Sequence, residues 1–168
     1  MMRGILKVIA VLVVAALGLL VFVPKVSSPQ PAVPQQDPVI NLTLYFSNPD
    51  ASALRQEKRQ VPQTDEPARV AVEELLAGAK TEGAVTVIPA GTKLKGFAVS
   101  QGVAYVDLSE DILNTPNRGS ASESLIVASI VNTVTEFAGI DQVQILIEGK
   151  EVETLYGHMD LSEPFRRF

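Results

Sequence analysis

Cysteine is absent from this chain, tryptophan is absent, and a single histidine, His158, stands near the C-terminus. Without cysteine there is no disulfide framework, no thiolate metal site and no cysteine nucleophile. Nor is there a lipid-modified cysteine of the kind that tethers bacterial lipoproteins. One imidazole cannot build a zinc site by itself, and it leaves little scope for histidine acid–base chemistry. Aromatic residues make up 5% of the chain, which is thin for carbohydrate recognition by exposed ring platforms. No G-x-S-x-G elbow, phosphate-binding Walker loop, dinucleotide fingerprint or calcium-loop spacing occurs.

What is present is acid and apolar residues. From Val39 onward, 11 Lys and Arg face 18 Asp and Glu, a balance of −7. Such a domain is a poor electrostatic match for nucleic acid or anionic lipid. With 46% hydrophobic residues, the part beyond the N-terminal segment is large enough for one compact core.

Residues 1–23 read as a membrane segment. Ile5 to Val23 is a nineteen-residue apolar run interrupted by Lys7 alone. As a helix it would span roughly 28 Å, close to the hydrocarbon thickness of a bilayer. Arg3 and Lys7 precede or open the run, which predicts the N-terminus in the cytoplasm and the remainder outside. A cleaved signal peptide is the alternative; its apolar region would be unusually long, which favours an uncleaved anchor. Residues 24–38 follow with five prolines, a semi-rigid polyproline spacer that holds the domain off the membrane.

The domain expected over 39–168 opens with alternation in VINLTLYFSN, where Ile40, Leu42, Leu44 and Phe46 mark one face of a strand. Asn48-Pro49-Asp50 is a turn, and the charged stretch from Leu54 to Val61 reads as an edge strand or an exposed loop. Thr64-Asp65-Glu66-Pro67 begins a helix carrying Ala68, Val72, Leu75, Leu76 and Ala79 on one face, and Gly78 lies near its stop. After an Ile88-Pro89-Ala90-Gly91 turn, KLKGFAVSQGVAYVDL alternates on either side of Gln101-Gly102, the pattern of a β-hairpin.

Ser120-Ala121-Ser122-Glu123 fits a capping box ahead of a second helix from about Ser122 to Ala138. Its apolar stripe is Ile126, Ile130, Val134 and Phe137, widened by Val127 and Val131, while Asn132, Thr133 and Glu136 are expected on a polar surface. Gly139 ends it, QVQILIEG is a further strand, and Val152 to Leu155 is a candidate short strand before a tail lying along the body. The order β-α-β-β-α-β predicts an α+β two-layer sandwich: a small mixed sheet with a central hairpin, covered by two helices.

The pieces LTLYF, VEELLAGAKTEG, VIPAGTKLKGFAVSQGVAYVDLSED, SESLIVASIVNTVTEFAGIDQVQILIEGK and TLYGHMDLSEPF occur in an order and spacing that resemble the GerMN domain, the sporulation and spore-germination domain family. The resemblance covers about Asn41 to Arg167. It implies a non-enzymatic, envelope-associated module, similar to ring-building motifs of transenvelope complexes and found in some members beside cell-wall amidases. The chain departs from lipoprotein members in lacking the anchor cysteine, which Ile5 to Val23 replaces. It also carries one copy of the domain rather than a tandem pair.

Each candidate for chemistry has a structural explanation that outweighs it. Asp107-Leu108-Ser109-Glu110-Asp111 is the densest acidic cluster and the place to look for a carboxylate pair or a hard cation, but strand-end and turn roles account for it. Ser120, Ser122 and Ser124 have no elbow and no evident base. His158 between Gly157 and Met159 has no partner motif, and the mixed-sign run Arg55–Arg59 reads as a solvated edge. No catalytic, cofactor-binding or metal residue is therefore assigned, and no cofactor is expected. The expected function is an extracytoplasmic interaction or scaffold module, anchored through residues 5–23, that binds an envelope protein or itself. The alternative is a peptidoglycan- or glycan-binding accessory module; a hydrolase is disfavoured.

Overall fold

The computed structural model describes residues 37–168. The membrane segment at 1–23 and most of the linker at 24–38 lie outside the described residues. Among the described residues no helix is long and apolar enough to cross a membrane.

The expected α+β class holds, with two helices and a mixed sheet, but the strands divide into two sheets. Strand β1 (Val39–Ser47) pairs antiparallel along its whole length with β2 (Leu54–Pro62). The reversal between them is tied by the Asn48 side chain, whose Oδ1 accepts the amides of Ser52 and Ala53 at 3.0 and 3.2 Å. β1 does not join the larger sheet because its other edge meets a helix: the Tyr45 amide donates to Thr133 Oγ1 at 3.1 Å.

Helix α1 (Pro67–Leu76) starts at the expected proline and buries Ala68, Ala71, Val72 and Leu75. It stops two residues before Gly78, whose φ of +92° is the left-handed conformation that closes a helix without Cβ strain. Strands β3 (Leu94–Ser100) and β4 (Val103–Leu108) form the expected hairpin. Its turn residues Gln101 and Gly102 have φ of 49° and 81°, a type I′ turn whose twist matches the strands. Helix α2 (Ser120–Val134) crosses over to β5 (Gln142–Ile147), which lies parallel to β4. Two short strands, β6 (Lys150–Glu151) and β7 (Phe165–Arg166), pair with opposite ends of the remaining β5 edge.

Four sequence expectations are corrected here, and three of them concern polar residues that turn out to be buried. The run Arg55–Arg59 is an edge strand, exposed at Arg55, Gln56 and Lys58, but it is not solvated throughout. It lies in β2, where alternation sends Glu57, Arg59 and Val61 inward, leaving Glu57 3% and Arg59 7% exposed. Arg59 pairs with Glu57 and with Glu74 (2.7 Å), donates to the carbonyls of Glu74 and Gly78, and lies over the Phe46 ring. Glu57 Oε2 in turn accepts the amides of Lys80 and Thr81, both at 2.9 Å. The cluster thus pins the chain leaving α1 to the β1–β2 hairpin.

Asn132 and Thr133 are likewise buried rather than surface-polar: Thr133 serves β1 as above, and Asn132 Oδ1 accepts the Phe168 amide. The capping box is absent. The N-cap of α2 is Gly119, with no side-chain cap, and Glu123 turns into the protein instead. Fully buried, Glu123 accepts from Thr154 Oγ1 (2.6 Å) and from the amides of Leu155, Tyr156 and His158 (2.9, 3.1 and 2.9 Å). The strand expected over Val152–Leu155 is also absent: the Leu155 amide serves the Glu123 carboxylate, and the short strand that follows β5 is Lys150–Glu151.

Burial alone would raise the Glu123 carboxyl, but the Thr154 hydroxyl and the amides of Tyr156, His158 and Leu155 outweigh it and hold it below the ordinary value. Burial likewise pushes Glu57 upward, and Arg59 with the Lys80 and Thr81 amides brings it down to about 2. A depressed folded-state pKa stabilises the fold above the unfolded-state value and is lost as pH falls through the folded one. The unfolding free energy is therefore expected to be flat from neutral pH to about 5 and to fall steadily between about 4.5 and 2. Replacing Glu123 with alanine strands three amides and a hydroxyl, and is expected to cost about 3 kcal/mol or more in urea unfolding at neutral pH. A loss under about 1 kcal/mol would contradict this account of the loop.

Candidate interaction surface

The acidic stretch 107–111 is spread along the end of β4 and the turn after it, and the carboxylates of Asp107 and Asp111 are engaged by hydrogen bonds. Asp107 Oδ1 accepts the Gly149 amide at 2.7 Å, closing the β5–β6 turn. Ser109 Oγ donates to Asp111 Oδ2 at 2.9 Å and accepts the Lys93 amide at 3.0 Å. The Glu110 amide donates to Glu148, which also pairs with Lys95 at 3.1 Å. Hydrogen bonding to Glu148 holds the Lys95 ammonium above its usual value. Among the described residues no three His, Cys, Asp or Glu side chains are grouped to hold a metal ion.

Ser120 and Ser124 are exposed at the start of α2 and Ser122 is half-buried, and no hydrogen bond joins any of them to His158. The exposed His158 ring lies with Nε2 3.0 Å from the Arg118 carbonyl, which ties the tail to the loop before α2. Beside it is an open polar recess of about 470 Å³ lined by residues including Glu153, His158 and Asp160. Asp160 there accepts from its neighbour Ser162, a local turn bond. These residues bring together no nucleophile with a base.

The sheet edges are more informative. The outer edge of β5 is covered by β6 and β7. The outer edge of β2 carries Arg55, Lys58 and a terminal Pro62, which discourage strand addition. Strand β3 pairs with β4 alone, and its other edge is open among the described residues. A register shift at Lys95 disrupts one end, but from Gly96 to Ser100 the edge has neither charge nor proline. Val99 is 48% exposed and Phe97 is half-buried, although both lie on the same face as the buried Ala104 and Val106.

They are bare because α1 begins too late to cover them. A groove of about 250 Å³ remains between β3 and the start of the helix, lined by Asp65, Glu66, Pro67, Ala68 and Arg69 on one side and Phe97 to Val99 on the other. The sequence marked this hairpin but not its open edge. The legible signal was the uncharged, proline-free run Gly96–Ser100, in contrast with the charged run in β2.

The family model for sporulation and spore germination, Germane, matches residues 43–153. The first GerMN domain of the sporulation protein GerM from Bacillus subtilis superposes with a TM-score of 0.66 at 24% identity, over 76% of this chain and 98% of that one. The tandem GerMN domains of the same protein give 0.67 at 24% identity, over 77% of this chain and 46% of that one. A putative lipoprotein from Clostridium perfringens gives 0.54 at 23% identity, over 76% and 87%. No curated protein matches the chain.

Because Asp107 and Asp111 are already engaged and no three acidic side chains are grouped among the described residues, adding millimolar calcium or magnesium is expected to leave the thermal midpoint unchanged within about 1 °C. A saturable rise of several degrees would overturn the structural assignment of that cluster.

Proposed function

The chain belongs to the sporulation and spore germination (GerMN) domain family, and from that premise we propose that it is a non-enzymatic interaction module of the cell envelope. The observation that carries the reading is the open β3 edge beside a groove lined by Phe97 to Val99 and the mixed apolar and charged residues Asp65 to Arg69, in a domain whose other long edges are covered or charged. An exposed edge of this kind offers main-chain donors and acceptors to an added strand, with the groove selecting its side chains. The engaged acidic cluster and the isolated His158 support a role without catalysis.

The apolar run at Ile5–Val23 supports anchorage in the cytoplasmic membrane, with the domain outside and the proline-rich segment as its spacer. The B. subtilis relative is described as a sporulation protein. For this chain the proposal is limited to docking in an envelope assembly. Glycan binding is less well supported: Tyr45 is buried under Arg167, and Tyr156 donates to the Ile112 carbonyl, so neither ring forms an open platform.

Photo-crosslinking in intact cells tests the proposal, with the reactive group placed in turn at Val99 in β3, Gln60 in β2 and Glu163 in the tail. Protein adducts are expected and should concentrate at Val99. No adduct at any position, with retention on purified wall material, would replace this reading with a glycan-binding one.

A further inference from the structure

Resting on the interaction reading, we infer that the occupant of the β3 edge is a second copy of this chain, paired antiparallel about Ala98. The residues opposite each other in an antiparallel ladder alternate between hydrogen-bonded and non-hydrogen-bonded pairs. Ser100 and Val103 close the two-residue turn and form a bonded pair, so Ala98 and Tyr105 form the next one. Phe97 and Val99 fall on the alternate positions, and their main-chain groups point away from β4 toward the open edge.

A two-fold axis at Ala98 then sets Phe97 opposite Val99 of the second copy, and Val99 opposite its Phe97. In both pairs the outward main-chain groups meet. The same register places aromatic and β-branched side chains across from one another on one face, a favourable cross-strand combination. Ala98 meets its own copy at a non-hydrogen-bonded position, where Cα atoms approach to about 4.5 Å and two alanines fit without a clash. Ser100 faces Gly96, again a small pair. The edge is thus complementary to itself, as a two-fold interface must be.

Charge does not select the second copy, but it sets where two copies can meet. Two domains of −7 repel each other, and Gly96–Ser100 is an uncharged stretch along which they can meet. The contact is small: two five-residue edges and their grooves bury on the order of 1,000 Å², at the low end of specific interfaces. The dimer is therefore weak and reversible, and confinement of the chains to one membrane raises its occupancy. Salt should strengthen it by screening the repulsion, whereas it would weaken the capture of a basic partner.

The absence of cysteine makes the test direct. Ala98→Cys in the full-length chain, in membranes treated with copper–phenanthroline as oxidant, places two thiols within disulfide reach across the axis. Disulfide-linked dimer is expected at about fivefold or more the yield of Gln60→Cys, the control for random collision. Adding salt should raise the yield, and Val99→Lys on the Ala98→Cys background should return it to the control. Urea unfolding of each variant confirms that these exposed substitutions leave the fold intact. Equal yields from Ala98→Cys and Gln60→Cys in folded protein would overturn the second-copy assignment. If adducts to a different protein at Val99 persisted, the interaction reading would survive that failure; if they too were absent, both would fall.

Discussion

Helix α2 has to be covered on every side, and the rest of the domain is arranged to do it. From Ile126 to Val134 every residue of the helix is buried, including Ser129, Asn132 and Thr133. A helix enclosed in this way cannot rest on one sheet with a solvated back. The β1–β2 hairpin takes one flank, the sheet containing β4 and β5 takes another, and α1 and the C-terminal tail close what remains. Enclosure brings polar side chains inside, where a partner offsets the cost of leaving water, and all but Ser129, whose hydroxyl is unpaired, find one on a neighbouring element. Thr133 serves an open edge of β1, Asn132 holds the last residue, and Glu123 gathers the loop 154–158.

Buried charge does similar work at the other end of the molecule. Arg59 and Glu57 have left water, a cost that is offset only when every hydrogen-bonding position is filled. Arg59 is shared among two carboxylates and two carbonyls, and Glu57 takes two further amides. A third ionic contact closes the outer face of β1, where Arg167 lies over the Tyr45 ring and pairs with Glu136. These contacts fix where loops and tail lie, which apolar packing alone does poorly because it is non-directional.

Elements set by local periodicity were legible in the sequence. The alternation in β1 and in the hairpin, the apolar stripe of α1, the Gln101-Gly102 turn and Gly78 all act through neighbours in the chain. What escaped acts at a distance. Glu123 follows Ser120 at capping-box spacing, and only the approach of Thr154–His158, some 30 residues away, diverts it. Glu57 and Arg59 sit in a run that reads as solvated because its partners, Glu74 and residues 78–81, belong to another element. The open edge of β3 escaped for a related reason: whether a strand is central or peripheral depends on which distant strands join it.

The anchoring of Glu123 also bears on the order in which the chain becomes a domain. Synthesis delivers the sequence from its N-terminus, and α2 exists as a segment before residues 154–158 have appeared. During that interval the helix carries an acid whose donors are not yet there, and β5 has an uncovered flank. The full set of Glu123 contacts can therefore form only once residues 154–158 have been made.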